Sequence, residues 1–275
     1  MHSVYENFRE LQPKMKMEVI GGIMENLLKK MLEKRKKSVG TFFSMGSSVA
    51  VEALGIAGMD YVILDKEHGP YGVETIAEYI RSAERRKITP LVRVKDSSRP
   101  SILKVLDVGA QGIIIPMIKT KEEVEKIIEY AKFFPLGNRG VALTRASSFG
   151  NINSLEDYFE ESNKNVLILP QCETKECVEN IDEILNVKGV DGIFIGPYDL
   201  SQSFGKPGQI SDPTIQDAMD KVLSACKKHN KYSFIYAPDK KTATDYFNRG
   251  FDSVAIGMDI LLYIDTFRDI ANMPR

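Results

Sequence analysis

Eight short runs of apolar and β-branched residues recur along the chain, each followed by a charged segment with helical spacing. They are 39–45 (VGTFFSM), 61–66 (YVILDK), 89–94 (TPLVRV), 112–117 (GIIIPM), 166–171 (VLILPQ), 192–196 (GIFIG), 232–237 (YSFIYA) and 253–257 (SVAIG). Runs this short and this uniformly apolar suit strands buried on both faces, because a strand with one face in water would alternate. The segments between them read as amphipathic helices: 24–37, with Leu27, Leu28, Met31 and Leu32 on one stripe, and 73–87, 99–108, 120–132, 174–187, 213–229 and 239–249. Thr120 and Glu123 have capping-box spacing, whereas Thr174 followed by Cys177 lacks the acidic partner. Lys121 with Glu125, and Glu122 with Lys126, pair at i,i+4 on an exposed helix face.

Eight strands alternating with helices predict a single-domain (β/α)8 TIM barrel, for which about 250 residues is usual; a doubly wound parallel sheet is the runner-up. Residues 1–23 read as a leader or a misassigned start, with Met15, Met17 and Met24 as later starting points, and 24–275 as the barrel. The stretch 133–165 is long for a plain connection and is expected to hold a functional loop and a short helix near 154–161. Lys and Arg total 37 against 38 Asp and Glu, a net charge of -1 that argues against a broad nucleic-acid surface. No apolar run approaches the ~18 residues of a membrane span. Cys172, Cys177 and Cys226 show no CxxC spacing, which fits a reducing, cytoplasmic setting.

In a (β/α)8 barrel the chemistry collects just after the C-terminal ends of the strands. After the second run stands Asp65-Lys66-Glu67-His68-Gly69-Pro70. His68 is a candidate general acid or base, since imidazole titrates nearest neutral pH; a loop side chain making local hydrogen bonds is the plainer alternative. Arg93 either grips a substrate carboxylate with its fork or forms an internal ion pair. Glu173 and Asp199 would project from neighbouring strand ends into one mouth, where two carboxylates repel unless protonated or neutralised by a cation. An all-oxygen site for Mg²⁺, Mn²⁺ or a similar ion resolves that; a helix cap and a turn are the alternatives. Asp107, late in a helix, and the Gly137-Asn138-Arg139-Gly140 turn carry little on their own. Cys172 is read as packing, because sequence neighbours on a strand point apart. Lys66 and Lys95 are minor Schiff-base candidates.

Together the stretches GTFFSMGSS, LDKEHGP, PLVRV, LDVGAQGIIIPM, NRGVAL, QCET, GVDGIFIGPYDLSQSFG and AIGMD resemble the HpcH/HpaI aldolase/citrate lyase family over about residues 24–270. Within it the likeness is to class II, metal-dependent aldolases acting on 2-oxo-3-deoxy or 4-hydroxy-2-oxo acids. The resemblance implies that Glu173 and Asp199 hold a divalent ion (Mg²⁺, Mn²⁺ or Co²⁺). It implies that Arg93 orients a pyruvate-type substrate and its enolate, and that His68 acts as acid/base through a water on the ion. Asp107 would pair with His68, from a neighbouring subunit region. Gln171 would line the pyruvyl pocket, and the backbone around Pro197, Tyr198 and Asp199 would contact the carboxylate. It further implies a hexamer, a trimer of dimers, with the C-terminal helix at 258–270 exchanged between subunits. The expected partners are thus an oxo acid, an aldehyde and further copies of the chain, with no nucleic acid and no membrane. Cys172, Tyr198, Tyr71-Gly72 and Ile235-Tyr236-Ala237-Pro238 depart from the usual family residues and bear on which aldehyde is accepted. The alternatives are a CoA-thioester lyase of the citramalyl or malyl type, with Arg139 and Arg145 as its basic surface, and a non-catalytic oxo-acid-binding barrel.

Overall fold

The eight apolar runs pair side by side as parallel strands and close on themselves. A computed structural model describes residues 19–20 and 23–274, with side chains from Met24 onward. A two-stranded antiparallel hairpin, β1 (Val19–Ile20) and β2 (Ile23–Met24), precedes the barrel. It falls at the end of the stretch expected as a leader; residues 1–18, with the alternative starts Met15 and Met17, lie outside the described residues. The barrel strands are β3 (Ser38–Phe43), β4 (Tyr61–Asp65), β5 (Thr89–Arg93), β6 (Gly112–Ile115), β7 (Leu167–Cys172), β8 (Gly192–Ile195), β9 (Tyr232–Ala237) and β10 (Ser253–Met258). Pairing of β10 with β3, Ser253 opposite Ser38, completes the ring and excludes the open doubly wound sheet.

Strand alternation sorts the core into two shells. Phe42, Tyr61, Ile63, Leu91, Ile114, Leu167, Leu169, Phe194 and Phe234 fill the barrel, while Val62, Leu64, Ile113, Ile168, Cys172 and Ile193 pack outward against the helices. Tyr61 fits inside only because Gly40 stands opposite it; a Cβ there would lie 2.2 Å from the Tyr61 ring. Helix α1 (Leu27–Glu33) closes the N-terminal end of the barrel. Its Leu28 and Leu32 join the inner shell, and the Asn26 amide at its cap donates to the carbonyls of Gln111 and Asn165, both at 2.8 Å.

The outer ring contains α2 (Ser48–Ile56), α3 (Val73–Arg85), α4 (Arg99–Asp107), α5 (Lys121–Ala131), α6 (Leu155–Asn165), α7 (Lys175–Glu179), α8 (Ile181–Leu185), α9 (Pro197–Ser203), α10 (Pro213–Lys228), α11 (Lys240–Arg249) and α12 (Asp259–Ala271). Thr120 and Glu123 form the expected capping box on α5. The single helix expected over 174–187 is two, broken at Asn180, whose side chain donates to the Lys119 carbonyl at 2.9 Å instead of facing solvent. The 133–165 connection holds a 3-10 turn at Arg145–Gly150 and α6, which is longer than the helix expected there. Among the described residues no helix is long and apolar enough to cross a membrane.

Candidate active site

A cleft of about 240 Å³ opens at the C-terminal ends of the strands, lined by Phe42, Asp65, His68, Arg93, Gln171, Phe194, Gly196, Pro197, Tyr198, Asp199, Tyr236 and Met258. It therefore brings together six of the residues singled out in the sequence: His68, Arg93, Gln171, Pro197, Tyr198 and Asp199. Glu173 adjoins them, donated to by the cleft-lining Gln171.

Arg93 ends β5 directly opposite Asp65 at the end of β4. Its Nε and Nη2 donate to the two Asp65 oxygens at 2.9 and 2.6 Å, and its Nη1 lies 3.2 Å from Glu67. The guanidinium also sits 4.8 Å from the centre of the Phe42 ring. Burial works against the Arg93 charge, but the hydrogen bonds and charge of Asp65, then Glu67, more than offset it and hold the group cationic. Asp65 also accepts from the backbone N–H of Glu67 at 3.0 Å, so one buried carboxylate fixes both the arginine and the turn that carries His68. Neither Asp65 nor Glu67 was singled out from sequence; the strand register that pairs Asp65 with Arg93 is a non-local fact.

Gln171 and Glu173 lie two apart along β7 and its continuation, hence on the same, inward side, while Cys172 between them is fully buried in the outer shell. Hydrogen bonding to Cys177 and burial hold the Cys172 thiol well above its ordinary range, which suits packing and not nucleophilic attack. Glu173 accepts from the Met117 N–H at 2.6 Å and from the Gln171 amide. Met117 adopts a left-handed backbone (φ 58°) to aim that N–H, a feature with no sequence signal. Burial, seconded by the charges of Asp199 and Glu67, pushes the Glu173 carboxyl up to about 7. Gly196 permits this packing: a Cβ there would stand 3.0 Å from Gln171 Nε2 and 3.2 Å from Glu173 Oε2.

No group of three or more His, Cys, Asp or Glu side chains among the described residues is arranged to hold a metal ion. The site expected from sequence needs only two protein carboxylates, the rest of the shell being water and substrate oxygens. The donor set fits a hard divalent cation: oxygen only, with Glu173 buried beside two other carboxylates whose repulsion a cation would relieve. Pro197 has no N–H, so the backbone donors available at the start of α9 are those of Tyr198 and Asp199.

Asp107 does not line the cleft with His68. At the end of α4, toward the opposite end of the barrel, it accepts from Arg139 at 3.0 Å. A larger cavity of about 360 Å³ lies on that side, lined in part by Gln111, Arg139, Arg145 and Tyr158. Its two arginines are engaged within the chain, Arg139 by Asp107 and Arg145 by Glu84 and the Val108 carbonyl, and it lies away from the strand ends where a barrel reacts.

Comparison with known proteins identifies the family. A family model described as HpcH/HpaI aldolase/citrate lyase matches residues 38–266. The chain belongs to the HpcH/HpaI aldolase/citrate lyase family. A 5-keto-4-deoxy-D-glucarate aldolase of Escherichia coli O6:H1 is 34% identical to it over 251 residues, 91% of this chain and 97% of that protein. Among solved structures of the HpcH/HpaI group, a family protein from Burkholderia cenocepacia J2315 superposes with a TM-score of 0.84 at 31% identity, covering 90% of this chain and 98% of that one. The citrate synthase SbnG superposes with a TM-score of 0.81, also at 31% identity, over 89% of this chain and 96% of that one. Membership in the HpcH/HpaI family supports carbon–carbon lyase chemistry of the class II, retro-aldol kind in general.

Proposed function

We propose that the chain is a divalent-metal-dependent pyruvate aldolase, cleaving a 4-hydroxy-2-oxo or 2-oxo-3-deoxy acid reversibly to pyruvate and an aldehyde. The observation that carries this reading is one cleft lined by a buried Arg93, oriented by Asp65 and Glu67, and by Asp199, with the Glu173 carboxyl adjoining it through Gln171. Glu173 and Asp199 would hold the ion (Mg²⁺, Mn²⁺ or Co²⁺), which when bound acts as a Lewis acid toward the 2-oxo group. Arg93, fixed in direction by its two carboxylate partners, meets the charge that develops on the enolate oxygen, where a preorganised donor counts most. Gln171 lines the pyruvyl end, and the Tyr198 and Asp199 N–H groups are the donors for the substrate carboxylate. His68 takes the proton of the C4 hydroxyl as the C3–C4 bond breaks. That bond's electron pair remains on C3, the hydroxyl oxygen becomes the aldehyde carbonyl, and protonation at C3 gives pyruvate.

The His68 side chain is 69% exposed; its ring Nε2 lies 3.9 Å from Glu67, and its backbone N–H donates to Asp65 at 3.5 Å. Its pairing with Asp107 therefore calls for Asp107 of another copy, in keeping with a homo-oligomer. Helix α12 supports that reading as well, since Leu261, Leu262, Tyr263, Ile264, Phe267 and Ile270 are all exposed along it, an apolar surface suited to exchange within a trimer of dimers. The CoA-thioester alternative loses its basic surface, because Arg139 and Arg145 are engaged by Asp107 and Glu84.

The test is deuterium exchange into the methyl group of pyruvate, with and without divalent metal, followed by a screen of 4-hydroxy-2-oxo acids for pyruvate release. Metal-dependent exchange and release are expected. Tight oxo-acid binding without exchange would overturn the enzymatic reading in favour of a binding barrel.

A further inference from the structure

One wall of the cleft is built of aromatic rings. Phe42 lies edge-on to Phe194, with ring centroids 5.8 Å apart, and to Tyr236 at 5.9 Å. Tyr236 lies edge-on to Tyr198, again at 5.9 Å. The series runs outward from Phe42, which is 5% exposed and carries Arg93 on its face, through half-buried Tyr236 to Tyr198, 43% exposed at the rim; Met258 stands beside it. The rings come from β3, β8, β9 and α9, so their convergence belongs to the barrel mouth and not to one local motif.

The cations of the cleft are already engaged. Arg93 is held by Asp65 and Glu67, and no other Lys or Arg is among the described residues that line it. A second carboxylate on the substrate, beyond the aldol bond, would lose water against rings and a thioether with no free cation in the lining that this chain supplies. An apolar or aromatic group would instead gain edge and face contacts with Tyr198, Tyr236 and Met258. The volume of about 240 Å³ is below the ~300–1,000 Å³ of ordinary ligand sites, which favours a short acceptor.

We infer that the acceptor side of this site selects a small, uncharged, apolar aldehyde, and that Tyr236 and Tyr198 are the residues that select it. The inference rests on the aldolase reading above. In the aldol direction the C3 carbanion of pyruvate adds to the aldehyde carbon, and the carbonyl oxygen takes a proton to become the C4 hydroxyl.

The experiment uses the full chain with Mg²⁺ or Mn²⁺, pyruvate, and three aldehydes: pentanal, benzaldehyde and succinic semialdehyde. Pentanal or benzaldehyde is expected to exceed succinic semialdehyde in kcat/KM by about 10-fold or more. Tyr236→Ala is expected to lower kcat/KM for the apolar aldehydes by roughly 10- to 100-fold and to collapse their advantage, and Tyr236→Phe to keep it. A wild-type preference for succinic semialdehyde overturns the inference. A Tyr236→Ala protein slowed equally toward all three overturns the selective role of Tyr236. Exchange at the pyruvate methyl group needs no aldehyde and separates the two readings. Exchange without an apolar preference refutes the inference alone, whereas absence of exchange refutes the aldolase reading and the inference with it.

Discussion

Asp65 is the residue on which the candidate site should depend most, although it touches no substrate in the proposed chemistry. In Asp65→Ala the Nε and Nη2 of Arg93 lose both acceptors, at 2.9 and 2.6 Å, in a pair whose side chains are only 9% and 3% exposed. Breaking a buried ion pair by removing one partner costs about 3–5 kcal/mol, because the remaining charge stays desolvated. Glu67, 3.2 Å from Nη1 and 19% exposed, still neutralises part of the charge. The lower end, about 3 kcal/mol, therefore applies, and for a domain of this size it corresponds to a Tm lower by roughly 6–12 °C. The released guanidinium has room to swing toward Glu67 and away from the enolate position. A misplacement of about 1 Å in a positioning group costs on the order of 100-fold in rate. Differential scanning calorimetry and pyruvate deuterium exchange, run on the same preparation, measure both effects. Asp65→Asn separates shape from charge, since it keeps the volume but offers Arg93 one acceptor instead of two. An Asp65→Ala protein that melts within about 2 °C of wild type and exchanges pyruvate at the wild-type rate would refute the idea that this carboxylate sets the arginine; the Tm bound rests on the same conversion.

Removing divalent metal with EDTA should abolish exchange, and Glu173→Gln or Asp199→Asn should lower it by about 100- to 1,000-fold; full activity in metal-free protein would contradict the ion's role. Gly196→Ala places a Cβ 3.0 Å from Gln171 Nε2 and 3.2 Å from Glu173 Oε2, so urea titration should report a loss of about 1–3 kcal/mol together with slower exchange; unchanged exchange would mean that Gln171 and Glu173 tolerate displacement. Lys132 is buried, donates to the carbonyls of Asn163 and Val166 at 2.8 and 2.6 Å, and has its pKa lowered by burial from 10.5 to about 8. Between those values the unfolded chain holds a proton that the folded chain has lost, so stability from this group rises with pH. The Tm of wild type should therefore gain on that of Lys132→Met from pH 8 to 10, toward a limit of roughly 3 kcal/mol, and a pH-independent difference would show that the lysine titrates normally.

The barrel was legible because each parallel strand is buried on both faces and so reads as an unbroken apolar run; all eight lie within a residue or two of the expected positions. Helix α2 was not, since SVAVEALGI carries a single charge and no polar face to set a period. Candidate residues at strand ends were legible wherever position alone suffices, as for Arg93, Gln171 and Asp199. What position cannot convey is who faces whom. Asp65 was passed over as part of a strand although it is the partner of Arg93, and that pairing exists only through the β4–β5 register. Asp107 shows the converse: within its own chain it bonds Arg139, so the pairing with His68 that the resemblance implies needs a second copy, which no reading of one chain supplies. The Met117 N–H on Glu173 depends on a left-handed residue that no propensity announces.

The near-neutral charge of the whole chain conceals a strongly biased mouth. Asp65, Glu67, Glu173 and Asp199 gather there around one guanidinium, so with all four carboxyls ionised and His68 neutral the cluster carries three excess negative charges. Such a site repels the oxo acid that the proposed reaction requires, and Arg93 alone cannot reverse this, because two of the carboxylates already neutralise it. A divalent cation would cut the excess to one and place positive charge where the carboxylate and 2-oxo oxygens must lie. Oxo-acid affinity should then depend on metal even in the absence of turnover, so calorimetric titration with pyruvate should give little heat without metal and a saturable isotherm with it. Equal pyruvate affinity in both states would mean that the carboxylates are neutralised by protons instead, and that Glu173 serves as an acid and not as a ligand.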